Sequence, residues 1–156
     1  MTDYEKAYIA GFLDGDGCIM FQLVRRKGYR FGFQVRASIV FYQKTIHARH
    51  LQWLQTKLGG FGYIRHRNDD MTEYTIVGLT NVIPILEQLK PFVRLKRQHI
   101  NVALEIAKLL PRYKRLDDEL LLRVSKLVDQ YGSLNYSKRR RNTSKELKAF
   151  LRRGSL

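Results

Sequence analysis

Apolar and polar side chains alternate along residues 30–42, which predicts a β-strand with one buried and one solvated face. The buried face is assigned to Phe31, Phe33, Val35, Ala37, Ile39 and Phe41. Residues 19–26 have the same two-residue period, with Phe21 and Leu23 facing inward, and Gly28 lies between the two segments. We therefore predict that residues 19–26 and 30–42 form an antiparallel hairpin.

A second predicted hairpin joins residues 61–67 to residues 73–79 through a turn at residues 68–70. Helical periodicity surrounds the two hairpins. Helices are expected at residues 2–13, 45–58, 80–89, 96–110 and 117–131, with Pro111 separating the last two and a short helix after a capping box of Thr143 and Glu146. The order helix, hairpin, helix, hairpin, helix predicts an α+β fold in which helices cover the apolar face of an antiparallel sheet.

The length of 156 residues fits one domain. We expect residues 1–131 to form its core and residues 132–156 to form a basic C-terminal extension with a short helix, packed on the same domain.

The charge balance points to a polyanionic partner. The chain has 29 lysines and arginines against 14 acidic residues, a net charge of +15. Nucleic acid is favoured over a membrane because the sequence has no long apolar run and its basic residues are spread along the chain. Charge alone does not exclude nonspecific binding.

A single cysteine, Cys18, excludes an intrachain disulfide and a cysteine-based zinc site. Asp3 and Glu5 lie in the first turn of the first helix, so neither a secretory signal nor a transit peptide is predicted. We expect the protein to work in an intracellular, reducing compartment, either an organelle or a prokaryotic cytoplasm.

Residues 9–17, Ile-Ala-Gly-Phe-Leu-Asp-Gly-Asp-Gly, are the most informative segment. They place Asp14 and Asp16 at the end of the first helix, and Gly15 and Gly17 are expected to supply the unusual backbone angles of a helix stop. Because a helix C-terminus repels anions, carboxylates there indicate a nearby cation.

The tetrapeptide Asp-Gly-Asp-Gly also occurs in two other kinds of structure. An ordinary surface turn is the alternative for the tetrapeptide alone, since Asp and Gly are common turn formers. A calcium loop of the EF-hand kind fails, because Cys18 and Ile19 stand where that loop needs an oxygen ligand and a glycine.

The nine residues resemble the LAGLIDADG motif of homing endonucleases, and the order of elements is similar to the core fold of that family. The single-motif members are the most similar, which implies an αββαββα core, a saddle-like sheet and a homodimer whose motif helices pack together. Small residues at positions 10 and 11 would let those helices approach. The implied dimer interface consists of Tyr8, Ile9, Ala10, Gly11, Phe12 and Leu13.

The resemblance also implies the activity: a site-specific double-strand DNA endonuclease of the intron-homing type, cutting a long near-palindromic site by metal-dependent phosphodiester hydrolysis. It carries over Asp16 and the carbonyl of Gly15 as ligands of Mg²⁺, or of another hard divalent cation such as Mn²⁺. Asp14 is expected to cap the neighbouring motif helix and not to bind metal.

Two further catalytic residues are implied by the same resemblance. Gln43 matches a position that orders active-site water, and Lys96 matches a lysine that counters negative charge at the scissile phosphate. Taken without the family, they would be a polar strand end and a basic helix cap. His47 stands where close relatives carry an arginine, so that role is weakened or moved to Arg49.

Outward-facing arginine and glutamine on the strands can reach guanine and adenine edges in the major groove. The predicted DNA contacts are Gln22, Arg26, Gln34, Arg36, Ser38, Arg65, Arg67, Glu73 and Thr75, the alternative being a merely solvated sheet face. A strand of about 10 residues spans roughly 33 Å, which is the length of about 10 base pairs of DNA. A dimer would therefore contact about 20 base pairs. Lys138 and Arg141 are expected to contact phosphates, although a solvated charge run or a localisation signal would look the same.

Two other functions stay open on the same fold. One is an RNA-binding intron maturase, which the sequence allows without indicating RNA. The other is a noncatalytic DNA-binding regulator, against which Asp16 argues because a pure binder needs no carboxylate facing phosphates.

Overall fold

The computed structural model describes residues 1–110, 116–138 and 140–154. Pro111, predicted to separate two helices, and Arg139 of the basic C-terminal run lie outside the described residues. Within the described part of the chain, no helix combines the length and the apolar character that crossing a membrane requires.

The elements follow the predicted order. They are α1 (Asp3–Asp16), β1 (Gly17–Arg25), β2 (Phe33–Lys44), α2 (Ala48–Lys57), β3 (Tyr63–His66), β4 (Met71–Val77), α3 (Leu79–Leu89), α4 (Arg97–Leu109), α5 (Asp118–Leu134) and α6 (Ser144–Gly154), with a short 3₁₀ turn at Thr45–His47 before α2. The strands form one antiparallel sheet in the order β1-β2-β4-β3. The predicted α+β class and αββαββα order are confirmed.

Helix α1 begins as predicted but ends differently. The backbone N–H of Glu5 donates to the Thr2 hydroxyl at 3.2 Å, and the Thr2 N–H donates to the Glu5 carboxylate at 3.0 Å. Gly15 lies inside the helix, and Gly17 follows it with extended backbone (φ −105°, ψ 165°), so the predicted glycine helix stop is wrong. Gly17 is needed for space, since a Cβ there would lie 2.6 Å from the Leu13 side chain.

The chain forms two compact units, Met1–Ile19 with Ala37–Ile100 and Met20–Arg36 with Asn101–Leu156. The division of the chain into a core of residues 1–131 and an extension of residues 132–156 therefore stays a prediction. In the first unit α1 packs on α3, and α2 and α3 both pack on β4. Its fully buried side chains include Ile9, Leu13, Ile39, Phe41, Leu51, Leu54, Tyr74, Ile76, Leu86 and Leu89.

Strand register in the first unit determines which side chains share a face. Tyr42 of β2 and Arg65 of β3 both lie opposite Glu73 of β4, and Val40 lies opposite Thr75. Directly paired residues point to the same side of a sheet, so Tyr42, Arg65 and Glu73 form one row across three strands.

The second unit is built on α5, α6 and the β1–β2 turn. Residues 26–32 form that turn, with the Arg26 N–H donating to the carbonyl of Gly32 at 3.0 Å, so β2 begins at Phe33 and not at residue 30 as predicted. The Phe33 ring packs edge-on against Phe150, 5.6 Å between centroids. Val35, predicted to be buried, is half-buried.

Candidate functional site

The exposed carboxylate of Asp16 lies at the C-terminal end of α1, where it meets the end of β2. The side-chain amide of Gln43 donates a hydrogen bond from Nε2 to Asp16 Oδ2 at 3.1 Å. These two residues are 27 positions apart in the sequence, and the fold brings them together.

The donor set at this helix end suits a hard cation. The Gly15 carbonyl belongs to the last turn of α1, where carbonyl groups have no partner within the helix and carry partial negative charge. Together with Asp16 it offers two oxygen donors, the ligand type that Mg²⁺ prefers alongside water and phosphate oxygens. Among the described residues no cluster of three or more His, Cys, Asp and Glu side chains could hold a metal.

Asp14 binds backbone groups of its own chain. Its Oδ2 accepts hydrogen bonds from the backbone N–H groups of Arg94 (2.7 Å) and Leu95 (3.1 Å), and its Oδ1 accepts one from the N–H of Lys96 (3.0 Å). Within its own chain the carboxylate thus binds the segment that begins α4, a role that the sequence did not predict; capping of a neighbouring motif helix stays a prediction.

The same contacts position Lys96 beside the end of α1. The Lys96 ammonium donates from Nζ to the backbone carbonyl of Asp14 at 2.7 Å, two residues before Asp16 along the helix. Asp14 thus holds both the backbone and the side chain of Lys96, and a positive charge lies next to the candidate metal ligands.

Cys18 and Tyr42 are titratable groups near this site that sequence reasoning did not select. Burial raises the pKa of the Cys18 thiol, while Lys96 acts in the opposite direction. Burial also raises the pKa of Tyr42, and Cys18 and Glu73 add to that shift. Strand alternation placed Tyr42 on the outward face, but no motif distinguished it from other polar strand residues.

Three predicted DNA contacts of the first unit are buried instead. Ser38 is 4% exposed, Thr75 is 5% exposed and Glu73 is 7% exposed. Ser38 and Thr75 are small side chains on β2 and β4, the inner strands of the sheet. Their prediction as exposed contacts is wrong.

Glu73 organises the two arginines beside it. Arg65 Nη2 lies 2.9 Å from one Glu73 carboxylate oxygen, and Arg67 Nη1 lies 3.8 Å from the other. Arg67 also pairs with Asp69 at 2.7 Å. Arg65 and Arg67 themselves stay exposed as predicted; Glu73 orients the Arg65 guanidinium, and Asp69 together with Glu73 orients that of Arg67.

The predicted contacts of the second unit lie at or near its surface. Gln22 and Arg26 are exposed, and Gln34 and Arg36 are half-buried. Lys138 and Arg141 are exposed as well.

The predicted dimer interface on α1 is corrected by burial. Ile9, Ala10 and Leu13 are 0% exposed within their own chain, because the helical period turns them towards its core. The opposite face carries Tyr8, 51% exposed, and Gly11, where a Cβ would meet no atom within 4 Å. Tyr8, Gly11 and the half-buried Phe12 are the predicted residues that can meet a partner.

Aromatic residues from α2 extend that open face. The Tyr8 ring contacts the rings of His50 and Trp53, each at 5.7 Å between centroids, and His50 stacks on Trp53 at 5.4 Å. Together with Tyr4 and Glu5 they line a cavity of about 340 Å³. Burial lowers the pKa of His50, and the nearby His47 lowers it further.

Comparison with known proteins places this geometry in a family. A model of the LAGLIDADG endonuclease family matches residues 9–99. The chain is 39% identical over 135 residues to DNA endonuclease I-CvuI of Chlorella vulgaris, covering 86% of this chain and 81% of that protein. It is 36% identical over 153 residues to DNA endonuclease I-CreI of Chlamydomonas reinhardtii, covering 96% and 92%.

Solved structures agree with the sequence comparisons. The crystal structure of I-CvuI in complex with its target in the presence of Ca superposes with a TM-score of 0.89 at 37% identity, covering 96% of this chain and 94% of that one. The archaeal endonuclease I-Vdi141I, complexed with DNA, shares the fold with a TM-score of 0.82 at 18% identity, covering 97% and 96%. From its motif, its fold and these relatives, the chain is a member of the LAGLIDADG endonuclease family.

Proposed function

We propose that this protein is a site-specific homing endonuclease that cleaves double-stranded DNA as a homodimer, with Asp16 of each protomer holding a divalent metal ion. The observation that carries the proposal is the meeting of Asp16, Gln43 and Lys96 around the C-terminal end of the motif helix. The two relatives compared above are DNA endonucleases, and structures of I-CvuI contain DNA targets in the presence of Ca or Mg.

The chain's own residues account for the requirements of phosphodiester hydrolysis. Asp16 and the Gly15 carbonyl would hold Mg²⁺ or Mn²⁺, which when bound supplies Lewis-acid stabilisation and acidifies water. Gln43 uses its amide N–H to orient Asp16, which leaves its side-chain carbonyl to accept a hydrogen bond from water. Lys96, held at the end of α1, neutralises negative charge that develops on the phosphate.

A dimer supplies the second half of the site. One chain offers one Asp16, whereas cutting both strands requires such a carboxylate at each scissile phosphate. A twofold contact through Tyr8, Gly11 and Phe12 uses the open face of α1 and would bring the C-terminal ends of two motif helices together.

DNA contacts divide into base recognition and phosphate binding. Arg65 and Arg67, oriented by Glu73, present guanidinium groups of the kind that contacts guanine in the major groove. Gln22, Arg26, Gln34 and Arg36 are the corresponding candidates in the second unit. Lys138 and Arg141 would contact phosphates, and the net charge of +15 favours binding to the duplex as a whole.

We further propose that the protein works in an intracellular, reducing compartment, which suits a chain whose only cysteine is a half-buried free thiol.

The proposal is tested by exposing the purified protein to a library of randomised duplexes, once with Mg²⁺ and once with EDTA. Cleavage in Mg²⁺ alone, at one near-palindromic consensus of about 20 base pairs, is the expected result. Selection of a consensus without cleavage would indicate the noncatalytic regulator, and a preference for intron RNA over every duplex would indicate the maturase.

A further inference from the structure

The edge of β1 is occupied by side chains from the C-terminal basic segment, which we define as residues 137–142. In the sheet order β1-β2-β4-β3, β1 is an edge strand, and an edge strand leaves alternate backbone groups without a strand partner. The carbonyls of Phe21 and Leu23, two residues apart, point to the same side. Arg140 donates from Nη2 to the Phe21 carbonyl, and Asn142 donates from Nδ2 to the Leu23 carbonyl at 3.0 Å.

Arg140 also binds the C-terminal half of α5. Its Nη1 donates to the carbonyls of Val128 at 2.5 Å and Asp129 at 3.2 Å, so one guanidinium group joins a strand to a helix. The side-chain stem passes over Gly132, where a Cβ would lie 3.7 Å from Arg140 Cδ. Burial lowers the pKa of Arg140, and the Asp129 carboxylate opposes that shift.

Both ends of the basic segment are fixed to α5 as well. The Ser137 N–H donates to the Gly132 carbonyl at 2.8 Å, and the Ser144 N–H, just beyond the segment, donates to the Asp129 carboxylate at 3.0 Å. Between these points Arg140 is half-buried while Lys138 and Arg141 are exposed. Among the described residues of the segment, Arg140 therefore faces inward and Lys138 and Arg141 face outward.

We propose that Arg140 and Asn142 are positioning residues that hold the basic segment on the edge of β1, so that Lys138 and Arg141 contact DNA phosphates next to the bases that β1 contacts. The phosphate contacts rest on the proposed DNA-cleaving function. The competing interpretation is that Arg140 is itself a phosphate contact, since it lies within a run of basic residues.

The first test needs no DNA. Hydrogen–deuterium exchange of residues 20–25 and 137–142 is compared in wild type, Arg140→Met, Arg140→Lys and the control Arg152→Met, which removes one exposed charge from α6. Since several hydrogen bonds are lost, we expect exchange in both segments to rise about tenfold or more in the two Arg140 variants and to stay unchanged in the control. Wild-type exchange in both Arg140 variants would overturn the proposal.

The second test measures how DNA affinity falls with salt. Each phosphate contact contributes about 0.9 to the slope of log K against log salt. If the segment is displaced in Arg140→Met, the contacts of Lys138 and Arg141 are both lost, so the slope should fall by about 1.8 although neither of these residues is changed. Arg140→Lys keeps the charge but not the planar fork, and we expect it to lose as much. A loss of about 0.9 that lysine restores would make Arg140 a simple phosphate contact and overturn the proposal.

Asn142→Ala keeps the proposal testable if the Arg140 variants do not fold. It removes one hydrogen bond to β1 and should raise exchange in the same two segments, though less; unchanged exchange would count against the proposal. If wild type binds no DNA, the proposed function and the phosphate contacts fall together. The exchange experiment then still decides whether Arg140 holds the segment.

Discussion

Replacing Asp14 with asparagine tests whether this carboxylate holds the segment before α4. The variant has the same shape but only one acceptor oxygen, while three backbone N–H groups, those of Arg94, Leu95 and Lys96, point at the carboxylate. The remaining oxygen can serve two of them. The new amide group must then face the third donor, which loses its partner.

The expected loss follows from these three bonds. A hydrogen bond to a charged group contributes about 1.5–3 kcal/mol, and removing a helix cap typically costs about 1 kcal/mol. Asp14 is partly exposed, so water replaces part of what is lost. We expect the free energy of unfolding to fall by about 1–2 kcal/mol.

Equilibrium unfolding in urea, at one protein concentration and without DNA or metal, measures this change. Asp3→Asn is the matched control, because it makes the same replacement in the same helix at an exposed ion pair with Lys6, 3.0 Å long. Such a pair contributes less than about 1 kcal/mol. The reasoning is refuted if Asp14→Asn loses no more stability than Asp3→Asn.

Replacing Lys96 with methionine should slow single-turnover cleavage more than it weakens DNA binding, because positive charge is needed most in the transition state; a fall in affinity at an unchanged rate would leave Lys96 a phosphate anchor. Gly11→Leu should give monomers by light scattering, because a Cβ at this position has open space within its own chain and the larger side chain would project towards a partner; an intact dimer contradicts this. Arg65→Ala should relax base preference at one or two positions per half-site by about 1–3 kcal/mol. Lys138→Ala should instead weaken binding evenly across sequences and lower the salt slope by about 0.9. Binding profiles over all single-base variants at two salt concentrations measure both effects. A changed base preference in Lys138→Ala with an unchanged one in Arg65→Ala would contradict this assignment.

Local patterns predicted the elements because helix and strand periods depend on neighbouring residues. The capping box of Thr2 and Glu5 and the order of strands and helices could be predicted for that reason. The helical period also places Ile9, Ala10 and Leu13 on a different face of α1 from Tyr8 and Gly11. The family resemblance, by contrast, assigns all of these residues to the dimer interface. Burial in the structure divides it into two faces.

Nonlocal contacts could not be predicted from periods. Strand alternation predicted that Glu73 lies on the outward face, but it could not predict that Glu73 is buried or that it pairs with Arg65 and Arg67. Asp14 binds backbone groups about 80 positions away, and Arg140 binds a carbonyl 119 positions away. Neither partner has a sequence signature, since any residue offers a backbone donor or acceptor. The hydrogen bond between Asp16 and Gln43 has no local signature either, and the family resemblance implied only that both residues belong to the active site.

The most direct test of the central claim is the activity of Asp16→Asn on the selected DNA site in Mg²⁺. Asparagine keeps the shape of the side chain and an oxygen for the Gln43 hydrogen bond, but it removes the charge that a divalent cation requires. We predict that cleavage is abolished while DNA affinity is largely retained, with Asp3→Asn cutting as wild type does. Cleavage by Asp16→Asn at the wild-type rate would contradict the assignment of the active site.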